Sequence, residues 1–248
     1  MFRISINLSS YSYKSTINKS YESFLSQAFA DYESIVIDDC SNDDSFSYVK
    51  NQTKDDSRIS VLKTNKNGGT AVARNVGLRH AKGRYITFLD SDDLLDPDYL
   101  EKQLKFIKEH GPLISSGYRR KAKHTCTDFL VPETVDYKTA LRGNPLSCLT
   151  TIYDRSVIGK VYFPEDIDRP EDYVFWFNIL RRGIVARGNP LVLATYNIIE
   201  GSKSSNKFKL IGCMHKVYHK TQGINLFKSW IYVIRWALYG KKKYRNVR

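Results

Sequence analysis

The stretch Tyr85-Ile86-Thr87-Phe88-Leu89-Asp90-Ser91-Asp92-Asp93 decides the fold, because an apolar, β-prone run passes directly into three carboxylates. Thr87, Phe88 and Leu89 lack the alternation of a half-exposed strand and predict one buried on both faces, as in a parallel sheet. In open α/β sheets ligands collect beyond the carboxyl ends of strands, which is where these acids fall. Clustered carboxylates repel one another unless a hard cation sits among them. Asp90, Asp92 and Asp93 are therefore candidate ligands for Mn2+ or Mg2+, and a cation held there would bind a diphosphate. The competing reading is an acidic turn. Asp96-Pro97-Asp98 has the form of a helix N-cap followed by proline at the first helical position, which accounts for Asp96 and leaves the three earlier acids unexplained.

Upstream of this segment strands and helices alternate. Strands are predicted over Arg3 to Leu8, Ile35 to Ile37 and Ile59 to Leu62. Helices are predicted over Thr16 to Phe29, Ser45 to Lys54 and Thr70 to Ala81, the first with Ile17, Tyr21, Phe24, Leu25 and Ala28 on one face. A β-α-β-α order argues for a parallel sheet covered on both faces, a Rossmann-like half of the kind that binds nucleotides. From Gly111 to about Gly188 the pattern is mixed, with a strand at Leu149 to Tyr153 and a helix from near Pro170. Two helices close the chain, roughly Lys207 to Thr221 and Asn225 to Tyr239. The division expected is 1–110 as the nucleotide-binding half, 111–200 as the acceptor-binding half of the same domain, and 201–248 as a basic, amphipathic helical tail for membrane association.

Charge separates the tail from the body. Of 39 Lys and Arg, twelve lie in residues 201–248, which contain no acid, so the first 200 residues hold 27 basic against 26 acidic side chains and the tail carries nearly all of the net +13. A nucleic-acid binder would spread basic charge over its main domain, so no nucleic-acid partner is expected. Cys40, Cys126, Cys148 and Cys213 show no metal-binding spacing and read as free thiols of a reducing compartment. The N-terminus reads as a strand rather than a signal peptide, and no apolar run reaches membrane-spanning length. A cytoplasmic location is expected.

Four further clusters carry chemistry. Ser9-Ser10-Tyr11-Ser12 follows the first strand, and Asp38-Asp39-Cys40-Ser41-Asn42-Asp43 ends the second. Asn67-Gly68-Gly69-Thr70-Ala71-Val72-Ala73-Arg74-Asn75-Val76-Gly77 places glycines before a helix N-terminus, where backbone can approach an anion closely. Arg169-Pro170-Glu171-Asp172-Tyr173-Val174-Phe175-Trp176-Phe177 puts two acids at the opening of a helix anchored by Tyr173, Phe177 and Leu180. Each has a purely structural reading beside the functional one: a surface tyrosine, a helix cap at Ser41 to Asp43, an arginine satisfying a turn, and acids compensating a helix dipole.

Taken together with the Asp90 segment, these clusters resemble the family 2 glycosyltransferases of the GT-A fold, along nearly the whole chain. The resemblance implies a mixed sheet flanked by helices and extended here by a C-terminal amphipathic helix. It implies that Tyr11, with Ser9, lies against a uracil, where stacking contributes about 1–3 kcal/mol. It implies that Asp38 or Asp39 accepts a hydrogen bond from the base, with Cys40 standing where the family has glycine. Asn67 and Gly68 would line the donor, Arg74 would reach the donor phosphates or the aspartate cluster, Asp90 would line the donor, and Asp92, with Asp90 and Asp93, would hold the metal. Asp172 corresponds to the family's catalytic base, and Glu171 would support it. Ala194 to Lys207 looks like a segment of the bacterial polysaccharide and O-antigen transferases, in which Lys203 would border the diphosphate. The activity implied is a metal-dependent inverting transfer from a nucleoside-diphosphate sugar, first choice UDP-linked, to a lipid-linked saccharide.

In the last helix Phe227, Ile231, Ile234 and Leu238 recur at helical spacing, while Lys228, Arg235 and Lys242 recur every seven residues on another side. Trp230, Tyr232, Trp236 and Tyr239 add aromatics suited to a headgroup boundary. This predicts a helix lying on an anionic membrane surface at the inner face of the cell membrane, the alternative being a helix packed on the body with a solvated basic end. Two rival functions remain at this level: a sugar nucleotidyltransferase, which would need a glycine-rich basic loop that Leu8 to Ser15 lacks, and a catalytically silent membrane-surface module.

Overall fold

The computed structural model describes residues 3–11, 17–167, 169–198 and 207–243. In chain order the elements are β1 (Ile4–Ser10), α1 (Ile17–Leu25), β2 (Tyr32–Asp38), α2 (Ser45–Thr53), β3 (Ile59–Lys63), α3 (Thr70–His80), β4 (Tyr85–Asp90), β5 (Leu94–Leu95) and α4 (Tyr99–His110). The second part continues with β6 (Leu113–Lys121), β7 (Cys126–Phe129), β8 (Thr134–Val135), α5 (Tyr137–Arg142), β9 (Thr151–Asp154), α6 (Arg155–Ile158), α7 (Glu171–Leu180) and β10 (Ala186–Asn197). Helix α8 (Lys207–Lys216) runs through a π-helical turn at Val217–Thr221, and α9 (Leu226–Lys243) ends the described chain.

One mixed sheet runs in the order β3-β2-β1-β4-β9-β6-β10-β5, with β7 paired to β6 and β8 to β10. Strands β3, β2, β1 and β4 are mutually parallel. β9 turns the direction, lying antiparallel to both β4 and β6. The expected parallel half is therefore present, and its sheet continues into residues after 110 without a break. β1 and β2 are buried at every position, as required of strands covered on both faces. Ile4, Ile6, Leu8, Val36 and Leu89 point into a core shared with α1 and α4, whereas Ile35, Ile37, Ile86 and Phe88 point into a core shared with α3, α5 and α7. The alternation of Cβ atoms across a strand produces the two cores.

Several boundaries differ from expectation for identifiable reasons. α1 stops at Leu25, and Ala28 leaves its expected face to donate its N–H to the Pro97 carbonyl at 2.9 Å. Asp96 does not cap a helix. Its carboxylate takes both arms of Arg119, at 3.0 and 2.5 Å, and α4 begins at Tyr99. The local turn signal lost to a charge-assisted fork from a strand that sequence proximity could not reveal.

The terminal helix packs on the body along one face. Ser229 and Val233 are buried, and Tyr232 and Trp236 pack against the core shared with α7. Tyr239 lies so close to Gly143 that a Cβ there would meet its ring at 2.2 Å. Tyr232, Trp236 and Tyr239 thus face the body, and the fourth aromatic expected at a headgroup boundary, Trp230, stacks on His215 of α8 at 4.4 Å while staying 46% exposed. The outward stripe is apolar: Phe227, Ile231, Ile234 and Leu238 are all exposed. No helix among the described residues is long and apolar enough to cross a membrane.

Candidate active site

The carboxyl ends of β1, β2 and β4 converge because their register aligns Ser9 with Ile37 on one side and with Asp90 on the other. Ser9 donates to Asp90 Oδ1 at 3.1 Å. The main tie comes from α3. Arg74 is almost wholly buried, its Nη2 reaching Asp90 at 2.8 and 3.0 Å and its Nη1 reaching Glu171 Oε1 at 3.2 Å. Burial alone works against the guanidinium charge, yet the fields of Asp90 and Glu171 more than offset it. Phe163 lies 5.2 Å from the guanidinium and closes its open face. Arg74 thus reaches the aspartate cluster, one of the two targets expected for it, whereas the apolar pattern that predicted α3 gave no hint that Asn75 would turn inward.

Two backbone features set α3 at this height. Gly69 adopts φ +83 at its N-terminus, where a side chain would be strained. Gly77 faces Asn7, whose amide would lie 2.3 Å from an added Cβ. Asn7 in turn donates to the Arg74 carbonyl at 2.7 Å. The glycines before the helix do not line an open cradle. Gly68 and Gly69 donate their N–H groups to Asp39 at 3.1 and 2.7 Å, and Thr64 donates to the same carboxylate at 2.9 Å.

Asp38 is differently placed. Its Oδ1 accepts from Ser41 N–H at 2.8 Å, and its buried Oδ2 has no partner among the described residues. Cys40, beside the pair, takes φ +60, the left-handed conformation that explains a family preference for glycine at this turn. Asp43 accepts from Ser45 N–H at 3.1 Å ahead of α2, but the helix N-cap is Asp44, without a side-chain cap hydrogen bond among the described residues, so the capping reading of Ser41 to Asp43 is not borne out. Tyr11 is half-buried beyond β1, Asn67 is exposed, and Lys203 lies outside the described residues.

The three carboxylates after β4 do not act alike. Asp93 departs from the expected metal set: it is 1% exposed, and its Oδ1 accepts the Asn197 N–H at 2.9 Å, latching the end of β10. Burial, with the charges of Asp92 and Asp90, raises its pKa well above the ordinary carboxylate range. Asp90 is committed to Arg74 and Ser9. Asp92 has no described ion-pair partner, and burial together with Asp90 pushes its pKa up to about 6. Among the described residues no three His, Cys, Asp or Glu side chains form a ready cage for a metal. One to two carboxylates with phosphate and water oxygens nevertheless suit Mg2+ or Mn2+, and Asp92 beside Asp90 fits a cation carried in with a diphosphate.

Across the cleft, α7 opens with Glu171 and Asp172. Burial raises the pKa of Glu171 to about 7 even though Arg74 opposes the shift. The same cause raises Asp172, with Arg74 and Lys243 opposing. Asp172 Oδ1 accepts from Tyr173 N–H at 2.9 Å, which fixes the carboxylate at the helix start. Tyr173 is held from outside the sheet, its hydroxyl accepting from Trp236 Nε1 of α9 at 3.1 Å. Sequence reasoning missed this support, and it missed Tyr118 and Lys243, whose fields reach Asp172. Only packing brings residues so far apart in the chain together.

Comparison with known proteins agrees with this geometry. Residues 5–157 match the family pattern described as Glycosyl transferase family 2. The Escherichia coli UDP-Glc:alpha-D-GlcNAc-diphosphoundecaprenol beta-1,3-glucosyltransferase WfaP is 40% identical over 208 residues, covering 83% of this chain and 81% of its own. A second Escherichia coli enzyme of the same description, WfgD, is 33% identical over 211 residues and covers 84% and 82%. Among solved structures, S. aureus TarS 1-349 in complex with UDP-GlcNAc superposes with a TM-score of 0.73 at 21% identity, covering 97% of this chain and 73% of that one. At that identity the likeness bears on the fold, which is GT-A. The carboxylates at the end of β4 and the start of α7 thus stand in a known scaffold, and the chain belongs to glycosyl transferase family 2.

Proposed function

We propose that this protein is an inverting, metal-dependent glycosyltransferase that moves a sugar from a UDP-sugar to a hydroxyl of a lipid-linked saccharide in the synthesis of bacterial surface polysaccharide. The observation that carries the reading is the Arg74 bridge, 2.8 Å to Asp90 and 3.2 Å to Glu171, which draws the two acidic motifs to one cleft. The relatives' names supply the substrate class: a UDP-sugar donor and an acceptor sugar joined through a diphosphate to a polyprenol.

In this reading residues 1–110 seat the nucleotide and 111–200 seat the acceptor. Tyr11 and Ser9 border the nucleoside, and the unpartnered Oδ2 of Asp38 is the acceptor atom offered to a base N–H, Asp39 being engaged by the glycine turn. Asn67, Gly68 and Lys203 edge the donor. Asp92, with Asp90, would hold Mn2+ or Mg2+, which when bound neutralises negative charge on the diphosphate. Asp172 accepts the proton of the acceptor hydroxyl as that oxygen attacks the anomeric carbon. The bond from that carbon to the β-phosphate oxygen breaks, and its electron pair leaves with UDP. General-base assistance of this kind contributes about 10²- to 10⁴-fold in rate. Glu171 keeps Arg74 in place between donor and acceptor sides.

The outward stripe of α9, flanked by Lys228, Arg235 and Lys242, supports peripheral binding to an anionic membrane, which would be the inner face of the cell membrane. Each basic residue near such a surface contributes roughly 1 kcal/mol. Calorimetric titration with UDP in the presence and absence of Mn2+, followed by a product assay with a lipid-diphosphate saccharide, tests the enzyme reading. Metal-independent UDP binding sinks the metal role, and absence of UDP binding sinks the whole. Flotation with anionic vesicles tests the helix, where Phe227→Ser with Ile234→Ser should lower the bound fraction at least tenfold.

A further inference from the structure

The turn that carries Asp92 is tied down from outside its own strand, and one residue makes two of the ties. Asp93 N–H donates to the Asp90 carbonyl at 3.1 Å, which closes a tight turn with Asp92 inside it. Beyond the turn, β5 pairs antiparallel with β10, Leu95 opposite Ala194 and Leu94 opposite Thr195. Continued by two residues, that register sets Asn197 opposite Asp92. The ladder itself ends before this point, and the Asn197 side chain takes over from it. Its Nδ2 donates to the Asp92 carbonyl at 2.5 Å, while its backbone N–H donates to Asp93 Oδ1 at 2.9 Å. From the other side Ser20 of α1 donates to the Asp93 carbonyl at 2.7 Å, and Ser23 Oγ accepts the Leu95 N–H at 3.2 Å.

This frame matters because the acids of the turn are unequally engaged. Asp90 serves Arg74 and Ser9, and Asp93 serves Asn197. Asp92 is gripped by its main chain instead, which sets the point from which its carboxylate reaches out. A carboxylate free to swing binds a cation weakly, since the ordering it needs is then lost from the binding free energy, and productive sites hold their ligands to within about 0.5 Å. Asparagine suits the task by chemistry as well as by place. Its amide N–H steadies an oxygen of the turn and adds no charge to the acids around it. The backbone bond to Asp93 would survive almost any side chain at this position. What asparagine itself contributes is the hold on Asp92.

Resting on the metal role in the proposed function, we infer that Asn197 is a positioning residue for Asp92: by holding the Asp92 carbonyl it aims the carboxylate at the Mn2+ or Mg2+ that accompanies the donor diphosphate. Asn197 thereby sets how strongly the metal reinforces donor binding, and the end of β10 serves the donor side although it lies in the second half of the chain.

The test is calorimetric titration of the full chain with UDP, in EDTA and with saturating Mn2+, the ratio of the two affinities being the metal increment. Asn197→Ala keeps the backbone N–H to Asp93 and loses the hold on Asp92. Its increment should fall by about 10- to 100-fold, the usual effect of removing a group that orients a metal ligand, while affinity in EDTA stays within about twofold. Asn197→Asp has the same shape but sets an oxygen against the Asp92 carbonyl where a donor is needed, so it should not restore the increment. The fraction of Mn2+ bound in the presence of UDP, read by electron paramagnetic resonance, should fall in both variants. An increment unchanged in Asn197→Ala overturns the inference, and so does one retained in Asn197→Asp, since shape alone would then suffice. Equal losses with and without metal also overturn it, because they mark a general collapse of the donor side. A wild type whose UDP affinity ignores Mn2+ sinks the metal role and this inference with it, whereas a wild-type increment that Asn197→Ala preserves sinks this inference alone.

Discussion

The two sides of the cleft are built by different means. The proposed donor side comes from the ends of adjacent parallel strands, where register sets Ser9 opposite Asp90 and Ser10 opposite Asp38. The proposed acceptor side is assembled from a strand pair, the start of α7 and the end of α9, and its parts meet only through tertiary packing. The donor side commits most of its carboxylates to named donors: Asp90 to Arg74 and Ser9, Asp39 to a glycine turn, Asp93 to Asn197. Glu171 and Asp172 are buried with less compensation than burial demands, and both shift upward, as Asp92 and Asp93 also do after β4. Acids held by several donors, as Asp39 and Asp90 are, make a rigid floor. Under-compensated ones can take and hold a proton near neutral pH.

The sharpest break between the two sides is expected from paired substitutions. Asp172→Asn should leave UDP affinity within about twofold while lowering kcat by roughly 10²- to 10⁴-fold, the range for loss of a general base. Asp92→Ala should instead abolish the metal-dependent increment of UDP binding. Calorimetry and initial rates on the same preparations separate the two outcomes. If Asp172→Asn weakens UDP as strongly as Asp92→Ala does, the sides are not distinct.

Arg74 is the joint between them, and its removal should damage both. Arg74→Met leaves Asp90, whose side chain is 36% exposed, and the more buried Glu171 without their shared cation, and an unsatisfied charged group of this kind destabilises by about 1–3 kcal/mol. Denaturant unfolding should show that loss, and UDP binding and transfer should fall together. Arg74→Lys should recover part of the stability but little of the rate, because an ammonium cannot reach both carboxylates with the fork seen here.

How much of this was legible in the sequence follows the same division. The strand from Tyr85 to Asp90, the helix over Thr70 to His80 and the acids at the opening of α7 could be read because strand burial, helix spacing and charge placement are local properties. The partition of the β4 acids could not. Asp93 looks as good a ligand as Asp92 until Asn197, more than a hundred positions later, takes its oxygen. The aromatics of α9 illustrate the same limit: periodicity placed them on a helix, yet the inward turn of Tyr232, Trp236 and Tyr239 depends on Tyr173, Tyr218 and Gly143.

Glu171 offers a smaller test of the under-compensated side. Its folded pKa, about 7, lies above its ordinary value of 4.5. Between those values the folded protein keeps a proton that the unfolded chain releases, so stability is highest below about 4.5 and falls as pH rises toward 7. Glu171→Gln removes that dependence. The variant should match wild type in thermal stability near pH 4 and exceed it by roughly 1–3 kcal/mol at pH 8, while transfer declines as Arg74 loses a partner. Melting curves across pH decide this: a variant less stable than wild type at pH 8 would show that the Arg74 contact outweighs the burial of the charge.

The smallest effect lies on the donor side, where the strain is in the backbone rather than in a buried charge. Cys40 holds φ +60 directly after Asp39, a left-handed conformation that disfavours any residue with a Cβ by roughly 1–2 kcal/mol. Glycine relieves that but loses about 0.5–1 kcal/mol through its freer unfolded chain. Cys40→Gly should therefore stabilise by roughly 0.5–1 kcal/mol, a rise of about 1–4 °C in melting temperature, whereas Cys40→Ala keeps the strained φ and should gain nothing. UDP affinity should be the same in both variants, since Asp38 and Asp39 are set by Ser41 and the glycine turn rather than by the thiol. Equal melting temperatures for the two variants would place the strain elsewhere. A change in UDP affinity would mean that the turn itself touches the nucleotide.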